Sequence, residues 1–313
     1  MKKLSKLPLA DLIFGIISFS AAFTILTLIF STIIVLYNES SLAIHKFGLL
    51  NFIFTVDWDP VREVFGAAAS LYGTLVTTTL ALLIAIPVSI GIAIFLTEIA
   101  PHFLRTPIGI AIEMLAAIPS IIYGMWGLFT LAPIMAEYVE PALQKIFGDI
   151  PVVNKLFEGT PMGVDLLTAS IILSIMITPF IASISRDSFN LTPNIVKESA
   201  YALGATKWEV IKDIVIPYSK LGVYGGIVLA LGRALGETMA VAFVLGNKHQ
   251  ITPSLFDAAA TITVTLANEF TEADSDIYLS SLFYLALILF LMSFTILAIA
   301  KFFLLKAEKH YQR

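Results

Sequence analysis

The chain has 313 residues, of which 58% are hydrophobic and only 13% charged, with a mean hydropathy of +0.90. That excludes an ordinary soluble domain, where about a quarter of residues are charged, and the charge-free stretches are long enough to cross a hydrocarbon layer. The lack of cysteine excludes disulfide frameworks, thiolate metal sites and cysteine nucleophiles, while the net charge of −4 names no partner, because the charges are sorted by side.

Six windows are predicted to span: 12–36, 67–96, 108–132, 166–184, 221–245 and 279–304. The first follows Met1-Lys-Lys-Leu-Ser-Lys. It is too long for a signal-peptide core and no small-residue cleavage site follows, so it reads as a retained span. Pro87, Pro119 and Pro179 fall inside the second, third and fourth windows, where neighbouring helices can re-satisfy the freed carbonyls and a kink is expected. The fold class is therefore all-α, a polytopic membrane protein with six transmembrane helices. No repeat, linker or second domain interrupts it.

The basic residues orient the spans. Lys2, Lys3 and Lys6, Arg105, then Arg186, Lys197, Lys207, Lys212 and Lys220, and finally Lys301, Lys306, Lys309 and Arg313 fall on the side of the termini. The opposite loops carry fewer, namely Lys46, Arg62, Lys145, Lys155 and Lys248, and are rich in acids from Asp57 to Asp276. Both termini are expected to be cytoplasmic.

Between the fourth and fifth windows stands ESAYALGATKWEVIKDIVIP, beginning at Glu198. The pattern predicts a helix over 195–203 stopped by Gly204, since glycine accepts the left-handed conformation a helix end requires. A second helix is predicted over 206–216 and ended by Pro217, with Thr206 and Glu209 at capping-box spacing. Such a helix–turn–helix is either a self-contained loop or a docking surface, its small residues allowing close approach.

The fifth window reads LGVYGGIVLALGRALGETMAVAFVL and carries two ionisable residues, Arg233 and Glu237. Arg233 lies about 18 Å into the window at 1.5 Å per residue, near the bilayer centre, where a charge costs at least ~2.5–3.5 kcal/mol. Four residues apart on a helix, the two would share a face and could pair. They are either a self-neutralising lock between helices or part of a substrate path. Intramembrane charges favour the latter, and guanidinium matches a tetrahedral oxyanion. Glu237 would accept the hydrogen bond of a protonated phosphate and repel an unprotonated anion such as sulfate. Gly222 with Gly226 and Gly232 with Gly236 have the spacing of close helix contacts.

The loop spacing E-x-A-x(3)-G-x(9)-I-x-x-P, with Glu198, Ala200, Gly204, Ile214 and Pro217 in place, resembles the EAA loop of type I ABC importer permeases, which implies ATPase coupling by Glu198, Ala200, Gly204, Ala205 and Pro217. Ser199 replaces the usual second alanine, a mild departure. GRALGETMAVAFVLGN, AIPSIIYGMWGLFTLAP from Ala117 and ITPFIASISRDSFNLTP from Ile177 resemble phosphate-specific permeases of the PstC type over about 67–304. The resemblance implies the type I importer permease fold, with a first helix and outer loop at 1–66, a permease domain at 67–305 and a tail at 306–313. It implies transport roles for Arg233 and Glu237 and ATPase docking by the Glu198–Pro217 loop. It further implies a sister permease of PstA type, two ATPase subunits of PstB type, a PstS-type phosphate-binding protein, inorganic phosphate as cargo, no cofactor and no nucleic acid. The setting would be a bacterial or archaeal plasma membrane.

Other residues carry less. Glu113 is expected at the cytoplasmic interface or paired with a neighbouring helix, and the four histidines lack ligand spacing. Tyr123, Trp126 and Phe129 read as packing or interface aromatics. No P-loop GxxxxGK[ST] occurs, so an ATP-driven cycle needs its ATPase on another subunit. Competing readings are a permease for sulfate or molybdate and, from another class, a secondary transporter or channel, which would need no docking loop.

Overall fold

The computed structural model describes residues 9–311. Lys2, Lys3 and Lys6, with the side chains beyond 306 that include Lys309 and Arg313, lie outside the described residues, so that part of the charge bias has no structural counterpart here. Among the described residues, six helices are long and apolar enough to cross a membrane: Leu9–Glu39, Ala68–Ile99, Ser120–Phe147, Leu166–Asn190, Lys207–Leu235 and Asp276–Lys306. Below, the basic side is that of the connections bearing Arg105 and Lys197, and the acidic side is the opposite one.

The third span departs from the window at 108–132. A helix does form over His102–Ala116, but it ends there, and Pro119 stands as an extended N-cap (φ −57, ψ 138) from which Ser120–Trp126 starts. The physical reason is local. Proline disfavours helical backbone in the residue before it, whereas mean hydropathy is blind to such a break. The true span continues to Phe147 through two widened π-turns, Gly127–Leu131 and Met135–Val139. Pro119 therefore opens the span instead of kinking it, while Pro87 and Pro179 do lie inside helices. Across the break the Tyr123 hydroxyl donates to the Leu115 carbonyl at 2.8 Å.

The fifth span also departs. It is helical from Lys207 to Leu235, so Pro217 does not end a helix as expected, and the last ten residues of the window 221–245 leave the long helix. Pro217 is tolerated because the turn before it, Ile211–Val215, is widened to i→i+5 bonding, which relieves the ring of its usual clash with the preceding turn.

The fourth span is the hub. Burial reaches 61% of its most apolar stretch, against none for the first span, which lies along the outside of the bundle with Phe14, Phe19, Phe23 and Phe30 exposed. Leu166, Ile172, Leu173, Met176, Ile177 and Ile181 of the fourth span pack with small residues of its neighbours, Ala81 and Ala85 of the second and Ala230 and Ala234 of the fifth. Gly222 and Gly226 fulfil the close-contact expectation, since a Cβ at either would meet Ser188 or Ile184 of the fourth span. Gly232 faces Leu297 of the sixth span instead, and Gly236 has already left the helix.

Beyond Leu235 the chain returns between the second and fourth spans on the acidic side. The Ala260 carbonyl fills the space of a missing side chain at Gly73, where a Cβ would lie 2.0 Å from its oxygen. Irregular backbone in such surroundings must find partners within the protein. It does: Ala259 N–H donates to Leu245 O, Lys248 N–H to Ala259 O and Ile262 N–H to the Thr74 hydroxyl, at 3.0–3.2 Å.

Candidate functional site

Arg233 sits in the last turn of the long fifth helix. From Lys220 to Arg233 is about 20 Å at 1.5 Å per residue, so the helix stops part way across a layer of roughly 30 Å. Glu237 is outside it. Gly236 forms the C-cap, and Thr238 (φ −121, ψ −64) precedes a four-residue helix, Met239–Ala242. The expected i,i+4 pairing is thus overturned: no ion pair joins Arg233 to Glu237. A glycine pair in one turn is a weak helix segment, and the break is fastened by Thr263, whose hydroxyl donates to the Glu237 carbonyl at 2.6 Å.

The two side chains take different surroundings. Glu237 Oε1 accepts the Ala240 N–H at 3.2 Å, an orientation that holds the carboxylate over the short helix. Arg233 lays its guanidinium over the Phe180 ring, 4.5 Å from the centroid, a cation–π contact. Its Nε is buried and has no hydrogen-bond partner. A buried orphan donor of a charged group is rare and costly. The third span closes in from another side, for Gly124 leaves no room for a Cβ against the Met239 carbonyl and the Phe243 ring.

On the basic side the loop residues assemble as the sequence suggests. The first helix is Asn194–Ala202, and Gly204 takes φ +89. Gly204 N–H donates to Tyr201 O and Ala205 N–H to Ala200 O, both at 3.0 Å, the paired bonds of a Schellman motif. The Thr206 capping box is closed in both directions, with Thr206 N–H donating to Glu209 at 2.7 Å and Glu209 N–H to the Thr206 hydroxyl. Glu198 and Gly204 face outward, and no atom lies within 4 Å of a Cβ built at Gly204. Leu203 at the bend is 90% exposed. Ala200 and Ala205 turn inward, onto a cluster of Ala93, Phe189, Val210 and Val215 that ties the loop to the basic ends of the second, fourth and fifth spans.

Two polar groupings, Lys197 with Glu98 and the partners of Glu269, had no pattern in the sequence to announce them, whereas Glu113 pairs with a neighbouring helix as expected. Lys197 of the loop pairs with Glu98 at the end of the second span, 2.5 Å apart, with side chains only 15% and 9% exposed. Glu113 pairs with Arg186 at 2.6 Å, and Gly109 beside them leaves room for that guanidinium. On the acidic side Glu269 accepts from the Trp58 indole at 2.6 Å and the Tyr278 hydroxyl at 2.7 Å, and lies 3.3 Å from His249 Nε2. Burial alone would raise its pKa, but these hydrogen bonds prevail and hold it below the ordinary glutamate value.

Against this geometry the comparisons with known proteins can be set. The family model described as "Binding-protein-dependent transport system inner membrane component" matches residues 86–307. The "Phosphate transport system permease protein PstC" of Mesorhizobium japonicum is 52% identical over 303 residues, 97% of this chain and 92% of that one. Its namesake from Pasteurella multocida is 54% identical over 83% of this chain and 81% of its own. An archaeal relative, the "Probable phosphate transport system permease protein PstC" of Methanocaldococcus jannaschii, is 38% identical over 95% and 94%. Among solved structures, a chain of a bacterial alginate ABC transporter superposes with a TM-score of 0.61 over 93% of both chains at 16% identity, which speaks to the fold alone. The matched segment contains both the broken fifth span and the docking-type loop, and the chain belongs to the binding-protein-dependent transport system inner membrane components and, within them, to the PstC permeases.

Proposed function

We propose that this chain forms one half of the membrane path of an ATP-driven inorganic phosphate importer, with Arg233 as the anion-binding group of that path. The observation that carries the reading is the buried, unpartnered Nε of Arg233 at the broken end of the fifth helix. An oxyanion supplies what that guanidinium lacks, several acceptor oxygens in a planar fork's reach. The separation of Glu237 from Arg233 strengthens the reading, because the cation is not neutralised in advance. Glu237 keeps Oε2 free of hydrogen bonds and serves as acceptor for a proton carried by phosphate.

The rest of the cycle follows from the loop. Glu198 and Gly204 present a preformed bend to an ATPase subunit of PstB type, Ala200 and Ala205 seat that bend on the bundle, and the second loop helix runs on through Pro217 into the fifth span. A sister permease of PstA type completes the path, and a PstS-type binding protein delivers phosphate to the acidic side. Both termini then lie in the cytoplasm. Energy comes from the partner subunits, since the chain has no P-loop.

The test is phosphate uptake by membranes carrying the chain with its partners. Arg233→Ala should lower uptake about thirtyfold or more, the cost of removing one side of a buried charge contact, with equal protein in the membrane. Arsenate should compete strongly with phosphate in the parent and sulfate hardly at all. Uptake by the variant above half the parental rate overturns the assignment of Arg233.

A further inference from the structure

We infer that Glu98 and Lys197 form the strut that carries movement of the docking loop into the second span, and so set how much transport each hydrolysed ATP drives. The inference rests on the loop being the ATPase-docking element. Helix Asn194–Ala202 has no fully buried residue. Its attachment to the second span is slight: the small faces of Ala200 and Ala205 on the basic-side cluster that holds Ala93, and the Lys197–Glu98 pair. Methyl groups on an apolar surface can slide with little penalty. A nearly buried ion pair cannot, because separating it leaves each charge poorly solvated and without a partner.

The position of Glu98 gives the contact its reach. It lies in the widened turn Phe95–Ile99 that continues the second span, with the neighbouring Thr97 hydroxyl donating to Ala93 O at 3.0 Å inside the basic-side cluster. The second span packs along the fourth through Ala81 and Ala85, in the same core as Ala230 and Ala234 of the fifth, on either side of Arg233. A pull on Lys197 is thus applied to the helix that borders the anion path. A second route runs through the covalent continuity of the loop with the fifth span. The strut makes the second and fifth spans move together when the loop moves.

Nothing in this requires the pair for folding, and the experiment separates the two roles. The complete complex is purified with its ATPase subunits and reconstituted, and phosphate transported per ATP hydrolysed is measured. Glu98→Gln and Lys197→Met should each keep membrane insertion and ATPase association but lower that ratio about fivefold or more, the scale of a modest coupling energy. The charge-reversed double variant Glu98→Lys with Lys197→Glu should recover the ratio to within about twofold of the parent. Unchanged ratios in both single variants overturn the strut, as does a double variant no better than the singles. Loss of ATPase association in the singles also overturns it, since the pair would then shape the docking surface. Failure of the docking reading itself looks different: Gly204→Asp would leave association intact whatever the Glu98 variants do.

Discussion

Lys197 and Arg233 are two cations held largely away from water in one chain, and their surroundings are opposite. Lys197 meets a carboxylate at 2.5 Å, and around it the loop satisfies its own backbone with a Schellman motif and a closed capping box. Arg233 has an aromatic face and an orphan Nε, at the end of a helix that stops short. The first region is complete as it stands. The second leaves a buried donor open, which the proposed anion path would use. Charges that serve structure are paired within the fold, whereas charges that serve a passing ligand must be left unpaired, at a cost carried by the packing around them.

Variants can break this contrast from either end. The largest effect after loss of Arg233 itself is expected at the bend. Gly204→Asp places a charged side chain at φ +89, where strain is about 1–2 kcal/mol, and where nothing in this chain fills the space. The loop should still fold, but co-purification with the ATPase subunit should weaken at least about tenfold, or ~1.4 kcal/mol. Gly204→Ala should stay within a few-fold of the parent. Intact association and transport by the aspartate variant would mean that the bend meets no partner.

A smaller change is expected at the open end. Glu237→Gln keeps size and shape, removes the charge that repels fully ionised anions, and adds a donor. Phosphate transport should fall while the sulfate-to-phosphate ratio rises about fivefold, as for roughly 1 kcal/mol of lost discrimination. The assay is anion-dependent flux without the binding protein, in a complex that turns over unliganded. If Glu237 only tunes the field around Arg233, both anions are retained more tightly and the ratio stays put.

The smallest expected effect on transport lies on the acidic side, where Glu269 is as fully partnered as Lys197 and the loss falls on stability. Glu269→Gln should destabilise the purified protein by about 1.5–3 kcal/mol at neutral pH, the scale of hydrogen bonds to a charged group. Its carboxylate titrates below the ordinary value of 4.5 in the folded protein. Its contribution is therefore present above pH 4.5 and lost as pH falls further. Thermal melts of parent and variant should differ at pH 7 and converge in acid. A difference independent of pH would assign the loss to packing rather than charge.

Much of this protein was legible in the residues alone. The apolar lengths determine that it spans a membrane, and the first, second and sixth spans lie where hydropathy puts them to within about three residues, while the fourth starts where expected and runs six residues further, to Asn190. The helix–turn–helix on the basic side was legible for a different reason: glycine at a helix end and the Thr206–Glu209 box act over three to five residues, so their geometry is written locally. Long-range contacts decided the rest. The third span begins only at Ser120, with Tyr123 reaching back over Pro119, and the fifth ends at Leu235, with Thr263 closing on Glu237. The pairing of Lys197 with Glu98, and the meeting of Trp58, His249 and Tyr278 on Glu269, join residues far apart along the chain. Hydropathy averages over a window and sees neither a break in backbone bonding nor the distant group that repairs it. Inside a membrane only that distant group allows irregular backbone to persist, so the tertiary structure alone could separate Arg233 from Glu237 and leave the cation open.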